Sequence, residues 1–503
     1  MDALAALERS GARTVPWDEA RAARHDLVLT ASPKGEPRAL SGPRVLLPHG
    51  AGFNKAVGGE GSPRLPSGLD PHYLLAGGRP WASLHALAHE DQLSRLAEHC
   101  PPAAARATVV GDPTLDRMLA SLAHREDYRR ALGTGARRLV VLSSTWGPES
   151  LLARRPELPG ELIGRLPHDA YQLALVLHPN EHSRIGAFDL SRQLAPALRA
   201  GLVLAGPYEE WAALLVAADG TVTDHGSTAL YAAALGRPVV GAYDGGSELL
   251  PGSPMARLLG LAPRLRTPAE LPELLEAAEA LDTRACAEAA FALPGQALPR
   301  LRGALYELLG LRPRAVPAAP RPLPGPAAPP PAPVAFAVRA EVRGHRVGVT
   351  RLPPTTSEPV HHLAAEHPGA DGRLLQSASV LWRRPGPGPA PHSAHSSTWT
   401  AAGWTAQVLE EAPQCGTAAV LITPERCLLR HRSAGTLSVR VEPYRSAGRV
   451  VRADAAAVVS AVHAWLGGTS RGVPPVSLVC EAGPLTVRVE VGPADGADLD
   501  YEL

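Results

Sequence analysis

Short runs of hydrophobic residues that end in polar turns, with helical patterns between them, fill the first 310 residues of the chain. Such runs are typical of buried strands, and an intervening helix places successive strands parallel in one sheet. In the first part of the chain the pattern predicts helices over 1–10, 18–24 and 84–97 and strands over 12–17, 26–31, 44–48 and 107–110. In the second part it predicts strands over 137–147, 172–177, 202–204, 221–223 and 238–242, followed by helices from 254 to 310.

The pattern changes after residues 312–334, a Pro/Ala-rich segment that reads as an extended, semi-rigid linker. Beyond it, apolar and polar residues alternate as in antiparallel strands, and one helix is predicted over 453–466. We therefore predict an α/β fold with two Rossmann-like halves, 1–134 and 135–311, joined by the linker to a smaller α+β accessory domain, 335–503. Because the chain opens on a helix, the first half is expected either to lack its first strand or to begin upstream of Met1.

Composition excludes several classes of partner. A net charge of +1 gives no reason to expect nucleic acid or a membrane surface, and no stretch is long enough to span a bilayer. Five scattered cysteines without C-x-x-C spacing argue against a disulfide framework and against a zinc site. No basic region followed by an apolar run opens the chain, so we expect a cytoplasmic protein. With no ligand spacing among its cysteines, we expect no metal.

Lysine and asparagine are almost absent from the sequence. Lys34 and Lys55 are the two lysines among 50 basic residues, and Asn54 and Asn180 are the two asparagines. Such a bias is typical of a GC-rich genome that replaces these residues wherever the change is tolerated. Asn54, Lys55 and Asn180 lie inside segments that look like functional motifs on independent grounds, which favours a function for these three residues.

Polar residues follow three predicted strands of the second half. In open α/β sheets, ligands bind beyond the carboxyl ends of the strands, so these residues are candidates for one site. A helix that begins directly after a strand with Gly-Ser-Thr presents backbone N–H groups and hydroxyls to an anion, although ordinary helix capping explains the same residues. The candidates for binding a donor are Ser143, Ser144, Thr145, Asn180, Asp224, Gly226, Ser227 and Thr228, with His178 as a catalytic candidate.

In the first half, residues 48–55 likewise follow the end of a predicted strand. His49 follows the apolar run there, and imidazole changes protonation near neutral pH, so His49 is the candidate general base. A loop histidine bonded to backbone is the alternative. Gly50 allows close approach of the backbone to a ligand, and Asn54 and Lys55 are candidates for binding an acceptor or a phosphate.

Four short matches over residues 1–310 resemble GT-B glycosyltransferases, in particular CDP-glycerol glycerophosphotransferase-like and UDP-N-acetylglucosamine 2-epimerase-like proteins. The matches are His49-Gly50 with Lys55, Gly111-Asp112-Pro113 with Asp116, His178-Pro179-Asn180, and the segment from Asp224 to Pro238. The acidic residue that the family carries in the helix after this last turn is replaced in the region of Tyr231 and Ala232.

The resemblance implies a metal-independent transferase without a cofactor. It would move a glycosyl or glycerophosphate group from a nucleotide-diphosphate donor to a hydroxyl acceptor in a cleft between the halves. His49 would act as base, Ser227 and Thr228 would hold the pyrophosphate, and His178 would add positive charge beside the leaving group. A nucleotide-sugar 2-epimerase and a catalytically inactive GT-B-like protein are the alternatives, the second favoured by the departure at Tyr231.

The last part of the chain contains no catalytic constellation that the sequence alone reveals. Its histidines, which lack ligand spacing, are interpreted as solvated loop residues rather than metal ligands. A domain on a Pro-rich tether is expected, by analogy, to dock a protein partner. The histidines concerned are His361, His362, His367, His392 and His395.

Overall fold

The first part of the chain forms a four-stranded parallel sheet in the computed structural model. The structure describes all residues except 1–6, 9–10, 57–60, 63, 209, 314, 316–318, 330–331, 386–397, 447 and 469–474. The strands are β1 (Val28–Thr30), β2 (Arg44–Leu46), β5 (Leu84–Leu87) and β6 (Ala107–Val109), in that spatial order, and a separate hairpin pairs β3 (Leu75–Ala76) with β4 (Arg79–Pro80). Helices of this part are Trp17–Ala22, Pro71–Leu74, Glu90–His99, Pro101–Ala104, Pro113–Ala120 and Arg125–Ala131, with short 3-10 helices at Pro37–Ala39 and Leu122–His124.

Three predictions for this part are corrected or left open. Residues 84–87 form the buried strand β5 rather than the start of a helix, and the helix begins at Glu90 because His89 caps it, accepting a hydrogen bond from Asp91 N at 3.0 Å. The strand predicted over 12–17 is wrong, since no strand forms there and a helix starts at Trp17. The helix predicted over 1–10 lies largely outside the described residues, whereas the strands predicted at 26–31, 44–48 and 107–110 are confirmed.

A second parallel sheet contains all five strands predicted for the next part. They are β7 (Arg138–Ser144), β8 (Tyr171–Leu177), β9 (Val203–Leu204), β10 (Gly220–Thr223) and β11 (Val239–Gly241), in the spatial order β11-β10-β7-β8-β9. The chain therefore moves outward from β7 in one direction and resumes beside it with β10 in the other. Parallel sheets open a crevice at such a reversal, beyond the carboxyl ends of the two strands.

Helices surround this second sheet, and the last of them returns to the first sheet. Leu301, in the helix Ala297–Leu308, packs with Ala86 and Val110 of the first sheet. The helices of this part are Leu151–Arg154, Leu158–Arg165, Pro179–Ile185, Ala187–Arg199, Glu210–Ala217, Thr228–Ala234, Pro254–Leu261, Leu271–Glu279, Arg284–Glu288 and Ala297–Leu308, with a 3-10 helix at Pro268–Glu270.

Residues 335–503 form a closed nine-stranded barrel, which the alternating pattern did not predict. The strands of the barrel are β12 (Ala335–Arg343), β13 (Arg346–Leu352), β14 (His362–Glu366), β15 (Val380–Arg383), β16 (Thr417–Thr423), β17 (Arg426–His431), β18 (Gly435–Val441), β21 (Val476–Ala482) and β22 (Leu485–Pro493), beside a small hairpin of β19 (Tyr444–Ser446) and β20 (Arg449–Val451). Both parallel and antiparallel pairs occur, and the order of the strands around the barrel is β12, β13, β21, β22, β18, β17, β16, β15 and β14.

The predicted helix at 453–466 is observed as Ala455–Leu466 and lies inside the barrel. Every residue of this helix except His463 is buried, and the inward side chains of the strands, such as Val338, Trp382 and Leu429, pack with it in one core. A helix that is apolar on all sides requires such complete enclosure. Outside the barrel, the helix Ala401–Glu411 covers part of the wall, and the remaining helices are Gly372–Ser377 and Gly496–Leu499.

The barrel is attached to the second sheet at the edge opposite the crevice. Arg351 of β13 is almost completely buried and donates to Asp169, in the loop before β8, at 2.6 and 2.8 Å. Asp454, before the central helix, is also ion-paired with Arg351, at 2.8 Å. The loop before a strand lies at its amino end, so the barrel leaves the carboxyl ends of the second sheet uncovered.

The described residues of the Pro/Ala-rich segment have no helix or strand, but they are anchored. Leu323 is buried in the core of the second sheet, and its backbone bonds both Ser121 and Tyr128. The domain boundaries at 134/135 and 311/312 stay predictions. Among the described residues, no helix is long and apolar enough to cross a membrane.

Candidate functional site

A cavity of about 400 Å³ lies between the carboxyl ends of the two parallel sheets. One wall comes from the loops after β1 and β2 of the first sheet, and the other comes from the loops after β7, β8 and β10 of the second. Of the residues predicted from the sequence, those that line the cavity are His49, Gly50, Asn54, Lys55, Thr145, His178, Asn180, Gly226 and Ser227.

The residue types in the cavity wall favour an anion. Both lysines and both asparagines of the chain line this one cavity, although they come from three separate segments, after β1, β2 and β8. The wall also contains four histidines and, among the described residues, no aspartate or glutamate. A wall with cations and neutral donors but without carboxylates is suited to phosphate groups.

His49 lines the cavity from the first sheet, and its loop lies against the second sheet. Gly50 has a positive φ of 67°, and a Cβ at this position would lie 3.1 Å from Ser227 Oγ. Glycine therefore brings the His49 loop against the turn after β10. Desolvation in the cavity lowers the pKa of His49, and the charge of Lys34 lowers it further. His49 is consequently neutral at neutral pH and able to accept a proton.

His178 approaches the cavity from β8 as the N-cap of the helix Pro179–Ile185. Its Nδ1 accepts a hydrogen bond from Asn180 N at 3.1 Å, so the neutral ring carries its proton on Nε2. Burial, followed by the charges of His49 and Lys55, lowers the pKa of His178 to about 4. The positive charge expected for His178 is therefore not supplied at neutral pH, and the ring acts as a neutral hydrogen-bond donor.

Lys55 joins the two walls of the cavity. Its Nζ lies 2.6 Å from Glu248 Oε2, donates to the carbonyl of Trp146 at 2.9 Å and lies 4.8 Å from the centre of the indole ring. Asn54 is buried, bonds Ala51 O and accepts from Met255 N at 3.1 Å. The amide oxygen of Asn54 thus holds its loop against the second part of the chain, while the amide nitrogen closes a turn within the loop.

Several candidates are structural residues behind the cavity. Asp224 is completely buried and accepts hydrogen bonds from the backbone N–H groups of Thr145, Leu151 and Gly226 at 2.7–2.9 Å. Burial raises the pKa of Asp224. Ser144 Oγ accepts from Leu152 N at 3.1 Å. These side chains fix the shape of the turns rather than reaching a ligand.

The hydroxyl groups of Ser227 and Thr228 have different contacts, although the two residues are adjacent in the sequence. Thr228 Oγ1 is 2.8 Å from Ser143 Oγ, so these two hydroxyls satisfy each other between β7 and the helix Thr228–Ala234. Ser227 precedes the helix without forming a side-chain cap, and its hydroxyl lines the cavity. Of the Gly-Ser-Thr turn, Gly226 and Ser227 are therefore the residues placed to contact a ligand.

The departure from the family at Tyr231 lies outside the cavity wall. Tyr231 is buried and donates a hydrogen bond to Asp112 Oδ2 at 2.9 Å, while Asp112 Oδ1 caps the helix Pro113–Ala120 through Leu115 N. Asp116 accepts from Gly295 N and Ala297 N at 2.6 and 2.8 Å. Asp112 and Asp116 therefore have structural roles in this fold.

Sequence reasoning missed several cavity residues, among them one lysine, one tryptophan and two histidines, and two carboxylates behind them. His225 Nε2 is 3.1 Å from Glu248 Oε2, and Glu149 accepts from Tyr243 OH and from Ser247 N at 2.6 and 2.7 Å. The position of Lys34 after β1 and its rarity were the signals that could have identified it. These four cavity residues are Lys34, His85, Trp146 and His225.

No family model matches the chain, and no curated protein matches it. Among solved structures, it is similar to the wall teichoic acid polymerase TagF, with 14% identity, a TM-score of 0.40 and coverage of 54% of this chain and 69% of that chain. It is also similar to the Anabaena protein HepE in complex with UDP-glucose, with 16% identity, a TM-score of 0.34 and coverage of 57% and 78%.

Proposed function

We propose that the two parallel sheets are the halves of a GT-B-like transferase, with the cavity between them as its active site. The enzyme would move a glycosyl or glycerophosphate group from a nucleotide-diphosphate donor to a hydroxyl acceptor. The observation that carries this proposal is the convergence of His49 from the first sheet with His178 and Ser227 from the second on one cavity.

The donor phosphates would lie against the second sheet. Ser227 Oγ, the Nε2–H of His178 and the side-chain amide of Asn180 are neutral donors on that wall. The ammonium group of Lys34 would supply charge from the opposite wall. Lys55, which is already paired with Glu248, would orient the loops and would contribute less net charge. Hydrogen bonds to phosphate are stronger than neutral ones, so a few donors suffice for specific binding.

The acceptor would react from the side of His49. A ring nitrogen of His49 takes the proton of the acceptor hydroxyl while its oxygen forms the new bond to the transferred carbon or phosphorus. The bond from that atom to the nucleotide oxygen breaks, and negative charge develops on the leaving nucleotide. His178 and Ser227 would stabilise this charge, because hydrogen-bond donors fixed in a partly dehydrated site act without reorganisation.

The donor set supports a reaction that does not depend on a divalent metal. Mg²⁺ is usually held by protein carboxylates together with substrate phosphates. The described cavity wall has no carboxylate. Behind it, ligand atoms of Glu149, His225 and Glu248 lie within 4.8 Å of one another, but Glu248 is paired with Lys55, and Glu149 accepts hydrogen bonds from Tyr243 OH and Ser247 N. An epimerase, which needs paired acid and base groups around a sugar ring, is disfavoured by the same lack of carboxylates.

Titration calorimetry with UDP, CDP, UDP-glucose and CDP-glycerol tests the proposal. We expect one of these nucleotides to bind with one site per chain and the affinity of Ser227→Ala to be reduced about tenfold or more, as for the loss of one hydrogen bond to a charged group. Binding that is unchanged in Ser227→Ala would place the nucleotide elsewhere. Failure of every nucleotide to bind would remove the transferase proposal.

A further inference from the structure

At one mouth of the barrel, four histidines from separate elements lie together. His362 is the first residue of β14, His431 is the last of β17, and His463 is on the central helix near its end, while His361 precedes β14. Ring centres of His362 and His463 are 4.7 Å apart, and those of His431 and His463 are 5.9 Å apart. His392 and His395 lie outside the described residues.

From this cluster, we propose that His361, His362 and His463 form a binding site for a divalent transition-metal ion of the zinc class. One ring nitrogen from each of the three residues lies within 4.8 Å of the other two. Zinc bound by imidazole has a Zn–N distance of about 2.0–2.1 Å, so tetrahedral ligand nitrogens are separated by roughly 3.3 Å. The observed separations need only side-chain adjustments to reach this arrangement.

The interpretation of these histidines as solvated loop residues is wrong for His362. This residue is 4% exposed, and its Nε2 is buried without a hydrogen-bond partner among the described residues. The Nδ1 atoms of His361 and His362 are 2.9 Å apart. Two imidazole nitrogens at this distance need either a shared proton or a shared cation, and a buried unpaired nitrogen beside them is costly unless it gains a partner.

Thr417 provides the outer contact that metal-binding histidines usually have. Thr417 Oγ1 is 2.8 Å from His463 Nδ1, which leaves His463 Nε2 as the nitrogen available to an ion. Gly416 allows this placement, because a Cβ there would lie 3.2 Å from His463 Cε1.

The number of protein ligands and the exposure of His361 to solvent indicate which kind of zinc site this is. Structural zinc sites are usually closed by four protein ligands, whereas sites with three protein ligands keep a position for water or another small ligand. His361 is exposed, so solvent and an ion reach the cluster directly. His431 is a neighbour of the site rather than one of its three ligands, because the ring nitrogens that lie within 4.8 Å of one another belong to His361, His362 and His463.

Zinc titration of the full-length chain, freed of any affinity tag and dialysed against chelator, tests this site. We expect one Zn²⁺ per chain by calorimetry and a tetrahedral Co²⁺ absorption spectrum that Zn²⁺ abolishes. His361→Ala, which alters an exposed residue, should weaken Zn²⁺ binding by more than about tenfold, and Thr417→Val should weaken it by about ten- to hundredfold. His345→Ala, an exposed histidine in the β12–β13 turn of the same barrel, should bind as wild type does.

Two results would overturn the proposal. One is a wild-type chain that binds neither Zn²⁺ nor Co²⁺, and the other is a His361→Ala variant that binds Zn²⁺ as tightly as wild type. Far-UV circular dichroism of each variant shows whether the barrel is folded. The nucleotide cavity is not involved, so neither result bears on the proposed transferase.

Discussion

Lys55 Nζ lies 2.6 Å from Glu248 Oε2, and this ion pair connects the loop after the first sheet's β2 to a loop of the second sheet. Both side chains are largely buried, with 17% and 8% exposure. Removal of one partner leaves a desolvated charge without its counterion, which is more costly than the removal of both. The pair therefore holds the two walls of the cavity at a fixed separation.

We expect Lys55→Met to lower the stability of the chain by about 2–3 kcal/mol, because Glu248, which still contacts His225, then loses the buried cation beside it. Thermal melting should show a drop of several degrees. The double variant Lys55→Met/Glu248→Gln, which removes both charges, should recover at least half of the loss. A single variant that melts as wild type does would show that the ion pair has no role in joining the walls.

Two serines at strand ends provide a matched pair of predictions. Ser227→Ala should reduce nucleotide affinity about tenfold with little change in melting temperature, because its hydroxyl lines the cavity and caps nothing. Ser144→Ala should leave affinity unchanged and lower stability by about 1–2 kcal/mol, because Leu152 N loses its acceptor. Calorimetry and thermal melting on both variants separate these outcomes, and the reverse result would contradict the assignment of the two roles.

Tyr231 is predicted to support the fold rather than the reaction. Tyr231→Phe removes the hydrogen bond to Asp112 and should lower stability by about 1 kcal/mol without changing nucleotide binding. Tyr231→Glu, which introduces the acidic residue type of the resembling family, places a second buried carboxylate beside Asp112 and should be much more destabilising. An increase of donor turnover in Tyr231→Glu would show that the position belongs to the active site.

Stability should decrease as the pH falls from about 6.5 to about 4. Burial lowers the pKa of His85 from its ordinary value of 6.5 to about 4, so the unfolded chain binds a proton in this window that the folded chain does not. His85 thereby contributes up to about 3 kcal/mol of acid destabilisation, and His85→Leu should flatten the dependence. Denaturant unfolding at pH 7 and pH 4.5 measures it, and identical pH slopes for the two proteins would contradict the assignment.

The sequence predicted most of the two parallel sheets because strand, polar turn and helix alternate clearly there. It failed at residues 84–87, the four-residue segment Leu-His-Ala-Leu that continues into a helical pattern, since such a short segment fits either structure. The closed barrel was not predicted either. The alternation of apolar and polar residues identifies strands, but it does not indicate which strands pair. In the barrel β12 pairs with β14, so the sheet closes on itself instead of ending in two edge strands.

The location of the candidate site was more predictable than the roles of its residues. Polar residues at strand ends share one edge of a sheet, so His178 and Ser227 could be placed together before the structure was known. Which side chains face inward depends on hydrogen bonds between distant loops, such as that from Leu151 N to Asp224, and no local pattern encodes these. The histidine cluster could not be predicted either. Its members are up to 102 residues apart in the sequence, from His361 to His463, and only the fold brings them together.

The most direct test of the account compares donor turnover and nucleotide binding in His49→Ala and wild type, once calorimetry has identified the nucleotide. His72→Ala, which changes an exposed histidine outside the cavity wall, is the control. If His49 is the base, turnover should fall by about 10²- to 10⁴-fold while nucleotide affinity changes by less than about threefold. Turnover of His49→Ala equal to that of wild type would contradict the claim that the two sheets share one catalytic cavity.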